Sequence, residues 1–157
     1  MLASKSKKQA AILFGILLAI LMMQISCGTL ARTNFERNRK LWRDSGTVNY
    51  RIKIYINKTG HATPNGKFTI TVRGGKAESI KREDNSPVDM NTARFWDYDT
   101  LDDIFDFIER GTKDAPYKFE VEYDKQLGYP KKLDLDSKQR TLDDELFFQV
   151  LEFEVIE

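Results

Sequence analysis

The sequence contains one cysteine, Cys27, and one histidine, His61, among its 157 residues. A single cysteine excludes an intramolecular disulfide, and these two residues are too few for the usual zinc sites. His61 stands in a loop with glycine and proline, and no sequence motif pairs it with a serine and an aspartate. No glycine-rich loop is followed by the helix and the Lys-Ser/Thr pair that bind phosphate. The sequence therefore favours a non-catalytic protein without a cofactor.

Charge is distributed unevenly along the chain. Residues 28–82 contain 13 Lys or Arg and 3 Asp or Glu, whereas residues 83–157 contain 9 and 21. A basic half is compatible with nucleic acid or anionic lipid as a partner. We favour an explanation without nucleic acid, in which basic and acidic strands lie side by side in one sheet and their exposed rows pair. The overall balance, 41% hydrophobic and 31% charged, is that of a globular domain.

The N-terminal segment has the features of an export signal. Three lysines precede an apolar run at residues 10–23, which is shorter than the roughly 20 residues that span a membrane. The segment Ile25-Ser26-Cys27-Gly28 then resembles the cleavage site of bacterial lipoproteins, although Gln24 stands where an aliphatic residue is usual. The sole cysteine thus occupies the position at which such a signal is cut and the new amino terminus is lipidated.

These features predict a lipoprotein-type signal peptide at residues 1–26, a lipid on Cys27 and a short tether at residues 27–33. An uncleaved single-span anchor is the alternative. In both cases the domain is exported and bound to a membrane of the bacterial cell envelope, facing the periplasm or the exterior.

Residues 34–157 are predicted to form a single α+β domain. Thr33 begins a capping box for a short first helix that ends near Gly46, and Thr100 caps a second helix at residues 100–110 with one apolar face. Gly111 fits the position after that helix. Alternating apolar and polar residues predict strands near residues 48–56, 68–72, 76–81, 117–123, 133–135 and 151–155. We expect a mostly antiparallel sheet of about six strands covered by the second helix.

The expected core draws on both the strands and the second helix. Its members are large apolar residues at the inward positions of the predicted elements: Ile52, Ile54, Phe105, Ile108, Phe119, Val121, Leu151 and Phe153. In the long connection at residues 82–99, Phe95 and Trp96 are the expected packing contacts.

Residues 123–130 predict a tight turn between two strands. Gly128 is expected to adopt a left-handed or closely packed backbone conformation, and Pro130 is expected to begin the next strand. Tyr129 has two interpretations. It packs within the turn, which we favour, or it stands exposed as an aromatic contact for a protein partner.

Asp134, Asp136 and Glu145 have part of the spacing of a calcium-binding loop. Lys138, however, stands at a ligand position, and Gln139 replaces the glycine that such a loop requires. We therefore favour a solvated acidic hairpin, with a divalent-cation site as the weaker alternative.

Several segments together resemble an uncharacterised family of small exported bacterial proteins, many of them lipoproteins. The matching positions are Tyr50, residues 72–76, Thr100-Leu101-Asp102-Asp103-Ile104-Phe105, Tyr123-Asp124, Leu127-Gly128-Tyr129-Pro130, Leu135-Asp136 and Asp143-Asp144-Glu145. The resemblance implies an exported module and assigns no catalytic residue. The leading hypothesis is therefore an envelope lipoprotein that binds or supports an unknown envelope protein. The alternative is a cation-binding or hydrolytic periplasmic protein that uses the acidic residues 134, 136 and 145.

Overall fold

A computed structural model describes residues 32–59, 65–89, 98–111, 117–136 and 145–157. These residues form two helices and six strands: α1 (32–44), β1 (Tyr50–Lys58), β2 (Gly66–Arg73), β3 (Lys76–Arg82), α2 (Leu101–Gly111), β4 (Lys118–Tyr123), β5 (Pro130–Asp136) and β6 (Glu145–Val155). The strands belong to a single sheet and every neighbouring pair is antiparallel. The predicted α+β class with an antiparallel six-stranded sheet is confirmed.

The order of strands in the sheet is β3-β2-β1-β6-β5-β4. The first and last strands of the chain therefore pair at the centre, and each half of the sheet is a three-stranded meander. Arg51 on β1 forms an ion pair with Glu154 on β6 at 2.9 Å, and Lys53 pairs with Glu152 at 3.4 Å. This confirms the expectation that basic and acidic rows lie side by side across one sheet.

One face of the sheet forms the core. β1 shows the alternation clearly, because Ile52, Ile54 and Ile56 are fully buried while the residues between them are not. The other buried residues on this inner face are Tyr50, Phe68, Ile70, Val72, Ile80, Leu133, Leu135, Leu146, Phe148 and Val150. We call this surface the inner face.

α2 packs on the inner face with Leu101, Ile104, Phe105 and Ile108, all of which are buried. The Phe105 ring stacks on Tyr123 of β4, with ring centroids 6.1 Å apart. These contacts explain the strongly amphipathic sequence of the helix.

The start of α2 is fixed from two directions. The Asp103 amide donates to Thr100 Oγ1 at 3.1 Å, and the Thr100 hydroxyl donates in turn to the Asp103 carboxylate. The Leu101 amide donates to the hydroxyl of the buried Tyr50 at 2.8 Å. Thr100 is therefore the cap that the sequence predicts, while Tyr50 satisfies a further amide of the first turn.

Residues Met1–Arg37 and Asn38–Glu157 form two compact units. In the first, residues 32–37 are helical and Arg37 donates to Asn34 at 2.9 Å. Thr33 lies inside this helix, so its predicted role as the cap is wrong. The helix ends at residue 44, and Gly46 follows with a φ of 64°, as the predicted stop requires.

In the second unit, Arg39 of α1 joins the two helices. It forms ion pairs with Asp106 at 2.5 Å and with Glu109 at 2.6 Å, both on α2. The helices are thus linked at the surface as well as through the sheet that they contact.

Three details differ from the sequence prediction. Val48 is 50% exposed and precedes β1 instead of beginning it. Gly111 is the last residue of α2 and not the residue after it; a Cβ there would lie 2.9 Å from Phe119 Cε2. Leu151 is exposed by 40% and does not belong to the core.

The cause of the last difference is an irregularity in the pairing of β1 with β6. Lys53 pairs with Glu152, but Ile54 pairs with Val150, so Leu151 is the extra residue of a β-bulge. A bulge changes the phase of the alternation along a strand. Before it the inward residues of β6 have even numbers, and after it Phe153 takes the inward position. The predictions for Cys27, His61, Phe95 and Trp96 lie outside the described residues.

Candidate functional site: the open face of the sheet

Residues 123–130, the most distinctive stretch of the sequence, form a structural turn. The Asp124 carboxylate accepts hydrogen bonds from the amides of Gln126 and Leu127 at 2.9 and 2.8 Å. The Asp124 amide donates to the Tyr129 carbonyl at 2.8 Å, which closes the loop. This arrangement is an Asx turn, in which backbone amides of the turn hold the Asp124 carboxylate.

Gly128 combines the two properties that the sequence predicts for it. Its φ is 77°, and a Cβ at this position would lie 2.4 Å from the backbone oxygen of Asn38 in α1. Glycine is therefore required both for its left-handed conformation and for the close approach of the helix. Pro130 is the first residue of β5, as predicted.

Tyr129 lies inside an aromatic cluster and is only 7% exposed. Its ring stacks on Phe153 with centroids 4.7 Å apart and meets the edge of Trp42 at 6.2 Å. Phe153 in turn stacks on Tyr50 at 5.8 Å. The buried ring offers little surface to a partner, so the contact role proposed for Tyr129 stays a prediction without geometric support.

The other face of the sheet is not covered by either helix in the part of the chain that the structure describes. We call it the open face and define it by the outward residues of the six strands. These are Arg51, Lys53, Tyr55 and Asn57; Lys67, Thr69, Thr71 and Arg73; Lys76, Ser79 and Lys81; Lys118, Glu120 and Glu122; Lys132, Asp134 and Asp136; and Glu145, Phe147, Gln149, Glu152 and Glu154. All of them are exposed or half-buried.

The two central strands of the open face carry a pair of aromatic residues, which we call the aromatic centre. Tyr55 of β1 and Phe147 of β6 lie with ring centroids 6.0 Å apart, and the Lys132 ammonium lies 5.8 Å from the centroid of Phe147. Both rings are half-buried. Tyrosine and phenylalanine in such positions are typical of contact surfaces in protein complexes.

The charges around this aromatic centre are divided between the two halves of the sheet. The outward rows of β1–β3 carry six basic residues: Arg51, Lys53, Lys67, Arg73, Lys76 and Lys81. One acidic residue, Glu78 at the bulge of β3, pairs with Arg73 at 3.7 Å. The outward rows of β4–β6 carry seven acidic and two basic residues: Glu120, Glu122, Asp134, Asp136, Glu145, Glu152 and Glu154, with Lys118 and Lys132. The charge asymmetry of the sequence thus becomes a division of one surface into a positive and a negative side.

Asp134, Asp136 and Glu145, the candidate cation ligands, come together at one end of the open face. Asp136 pairs with Glu145 in the β5–β6 register, and a cleft of about 250 Å³ lies among the three residues. The Lys118 ammonium donates to Asp134 at 2.7 Å, and this hydrogen bond raises the pKa of Lys118. A fixed positive charge therefore already lies beside the carboxylate that a metal ion would need.

In the described ranges, no group of three or more His, Cys, Asp or Glu side chains is arranged to hold a metal ion. The cation site stays a prediction that a binding measurement has to test.

A second acidic pair lies at the start of α2. Burial, with a hydrogen bond to Asp103 and repulsion by its charge, raises the pKa of Asp99 to about 7. This pair lies beside the helix cap formed by Thr100, away from the rows of the open face. Its only signal in the sequence is a cluster of aspartates at a helix start, which is normally a favourable charge arrangement.

Comparison with known proteins gives one match. A search of curated proteins and a search of solved structures both found no similar protein. Among the described helices, none combines the length and the apolar composition needed to cross a membrane. A family model described as a family of unknown function (DUF6174) matches residues 34–155. The match spans the two helices and all six strands, and the chain therefore belongs to this family of unknown function.

Proposed function

We propose that the chain is an exported, lipid-anchored domain that binds another component of the cell envelope through its open face and does not act as an enzyme. The observation that carries the proposal is the difference between the two faces of the sheet. One face is filled by apolar side chains and helices, while the other presents two aromatic rings among charged rows. The two rings are the part of this face that favours contact with a protein, because aromatic residues are enriched in protein interfaces.

The membrane anchor is proposed on the sequence alone. A basic start, a short apolar run and a cysteine at the end of it are the parts of a bacterial lipoprotein signal. The lipidated Cys27 would be joined to the folded domain by a short tether at residues 27–33. Mass spectrometry of protein extracted from membranes is expected to find a diacylglycerol-modified Cys27 at the amino terminus. An intact Met1, or a Cys27→Ser variant that matures and anchors normally, would refute the anchor.

The binding role is tested by removing the aromatic centre. The double variant Tyr55→Ala with Phe147→Ala is expected to fold, because both side chains lie on the open face, and to lose its cross-links to other envelope proteins. The matched control is Leu41→Ala with Val48→Ala, two apolar residues that are exposed by 39% and 50% outside the sheet. A folded double variant with unchanged cross-links would contradict the binding role.

A divalent-cation-binding or hydrolytic protein is the second candidate, and the cleft among Asp134, Asp136 and Glu145 is the observation in its favour. Hard cations require several oxygen ligands without a competing positive charge. Because Lys118 pairs with Asp134, we expect calorimetric titration with calcium to give no heat of binding. Saturable binding that Asp134→Asn abolishes would favour the second candidate instead.

A further inference from the structure

We infer that two copies of this chain pair through the outer edge of β4, so that their sheets join across a two-fold axis perpendicular to the sheet. We call the side of β4 that faces away from β5 the β4 edge. The inference concerns a different surface from the aromatic centre and does not depend on the binding role of the open face. It is carried by the difference between the two edges of the sheet and by the sequence of β4, which complements itself in one register.

The two edges of the sheet differ in what lies beside them. Residues 86–88 run alongside β3, where the Val88 amide donates to the Ile80 carbonyl and the Arg82 amide donates to the Ser86 carbonyl, both at 2.9 Å. Among the described residues, no strand pairs with the β4 edge. An edge strand presents a row of N–H and C=O groups on its outer side, which is a template for pairing with another chain.

The inward side chains of β4 are also less buried than those of the central strands. Phe119, Val121 and Tyr123 are half-buried, whereas Ile52 and Ile54 of β1 are fully buried. The main contact of α2 with the sheet backbone is made with β5. A further strand beside β4 would therefore cover apolar surface as well as backbone groups.

The charges of β4 fit a second copy of the same strand. β4 is regular, because the extra residue in its pairing with β5 is Lys131 of β5. Its outward row contains Lys118, Glu120 and Glu122. When β4 pairs antiparallel with its own copy about an axis at Phe119, each Lys118 lies directly opposite Glu120 of the other copy. Opposite charges at directly opposed positions stabilise a pair of strands.

Every other position of the axis along β4 opposes like charges. An axis at any of the three charged residues places that residue opposite its own copy. An axis at Val121 opposes Glu120 to Glu122, and an axis at Tyr123 opposes Glu122 to Asp124. An axis between two residues would turn the apolar side chains of one copy to the wrong face. The sequence of β4 therefore selects a single register.

The same register brings apolar residues together on the inner face. Phe119 lies opposite Phe119 of the other copy, and Val121 lies opposite Tyr117 of the other copy. Tyr117 directly precedes β4 and is 62% exposed. Aromatic pairs and pairs of an aromatic with a β-branched residue are favourable across strands. The register chosen by charge therefore also gives favourable apolar contacts.

Lys118 has a partner within its own copy, because its ammonium donates to Asp134 at 2.7 Å. That aspartate lies on β5, whereas Glu120 of the second copy would lie on the opposite side of β4. An ammonium has three N–H donors, so the second contact adds to the first. Exposed charges contribute little energy; here they set the register, while backbone hydrogen bonds and apolar contacts supply the association.

The length of the paired segment sets the expected strength. Residues 117–121 of each copy form a contact about 17 Å long, which is small for an interface between proteins. The pair therefore belongs to the weak class. Lipid anchors that hold both copies at one membrane would raise their effective concentration and favour pairing.

The first test uses full-length chains with two different affinity tags, co-expressed and extracted from membranes with detergent. Wild-type copies are expected to co-purify. Glu120→Lys opposes Lys118 of the other copy at both contacts, and we expect the co-purified fraction to fall roughly fivefold or more. Within its own copy the new lysine faces Asp134 of β5, so the fold should be retained.

The matched control is Glu122→Lys. It makes the same change at the next outward position of β4, but that position lies beyond the paired segment 117–121. We expect this variant to co-purify like the wild type. Melting temperatures near that of the wild type show that both variants fold, since exposed ion pairs contribute little to stability.

A disulfide locates the register directly. Opposed residues 118 and 120 of two copies would have Cα atoms about 4.5–5.5 Å apart, within the range of a disulfide. Identical residues would be about 8 Å apart, beyond that range. A mixed sample of Lys118→Cys and Glu120→Cys is therefore expected to form an intermolecular disulfide on mild oxidation, identified by mass spectrometry. Each variant alone, which carries the same Cys27, is expected not to form it at these positions.

Four results would each overturn the inference. They are wild-type copies that do not co-purify, a folded Glu120→Lys that pairs normally, a loss confined to Glu122→Lys, and a mixed sample that forms no more disulfide than the single variants. The binding role of the open face is judged separately, because Tyr55 and Phe147 lie on the two central strands, away from the β4 edge.

Discussion

The two faces of the sheet are formed by alternate residues of the same strands, yet they differ in composition and in exposure. The inner face is apolar, contacts helices and contains the aromatic cluster of Trp42, Tyr50, Tyr129 and Phe153. The open face is charged and exposed, and its only large apolar centre among the described residues is the pair Tyr55 and Phe147. The buried side chains that stabilise the domain therefore lie on the inner face. The side chains of the open face stay exposed or half-buried.

The largest expected loss of stability comes from the helix that contacts the inner face. Phe105→Ala removes a fully buried ring that stacks on Tyr123, and we expect the free energy of unfolding to fall by about 3–5 kcal/mol. Chemical denaturation of the purified protein measures this loss. The control is Tyr117→Ala, which removes an aromatic ring that is 62% exposed and should cost less than about 1 kcal/mol. Equal losses would show that α2 does not stabilise the inner face.

The turn that approaches α1 gives the next largest effect. Gly128→Ala introduces a Cβ in a left-handed conformation and within 2.4 Å of the Asn38 backbone oxygen, and we expect a loss of about 2–4 kcal/mol. Gly74→Ala has a comparable φ of 56° but no atom within 4 Å, so its cost of about 1–2 kcal/mol measures the backbone strain alone. If the two variants melt at the same temperature, the close approach contributes nothing.

A smaller effect depends on pH. The pKa of Asp99 is raised to about 7, chiefly by burial, whereas an aspartate in an unfolded chain titrates near about 4. The folded state therefore binds this proton more tightly than the unfolded state does. Its contribution to stability is complete below about pH 4 and is lost as the pH rises through about 7.

Denaturation curves between these pH values should accordingly show stability falling with pH in the wild type, and a weaker slope in Asp99→Asn. Asp102→Asn is the matched control, because it removes one negative charge from an exposed neighbouring side chain. An identical slope in the wild type and in Asp99→Asn would contradict the assignment.

The smallest effect is expected on the open face. Arg51 and Glu154 pair at 2.9 Å, but their side chains are exposed by 47% and 62%. A double-mutant cycle with Arg51→Ala and Glu154→Ala should give a coupling energy of about 0.2–1 kcal/mol, further reduced by salt. A coupling of several kcal/mol would mean that the open face contributes to stability as the inner face does.

Much of the fold could be predicted from the sequence because most strands have one buried and one exposed side. Ile52, Ile54 and Ile56 alternate with polar residues, and the apolar stripe of α2 has helical spacing. The turn at Gly128 was predictable from residue chemistry, since glycine admits the left-handed conformation and Pro130 restricts the backbone at itself and at Tyr129.

The rest could not be predicted, for two physical reasons. At the start of β6, Leu146, Phe147 and Phe148 are consecutive apolar residues, and Phe147 belongs to the open face, so the alternation is hidden. The bulge at Leu151 then shifts the phase in a way that depends on the partner strand. The first three strands are basic and the last three acidic, which was the available signal for the open face. Placing these charges on one surface also required the order of the strands in the sheet, and no local sequence pattern predicts that order.

The most direct test of the difference between the two faces uses two neighbouring residues of one strand. Phe147 and Phe148 are the same residue type in β6, but Phe147 lies on the open face and Phe148 is fully buried on the inner face. Phe148→Ala should cost about 3–5 kcal/mol of stability, and Phe147→Ala about 1 kcal/mol or less. Phe147→Ala, in turn, should remain folded and lose the cross-links to other envelope proteins. Equal destabilisation by the two variants, or a folded Phe147→Ala that keeps the cross-links of the wild type, would contradict the division of the sheet into a stabilising face and a binding face.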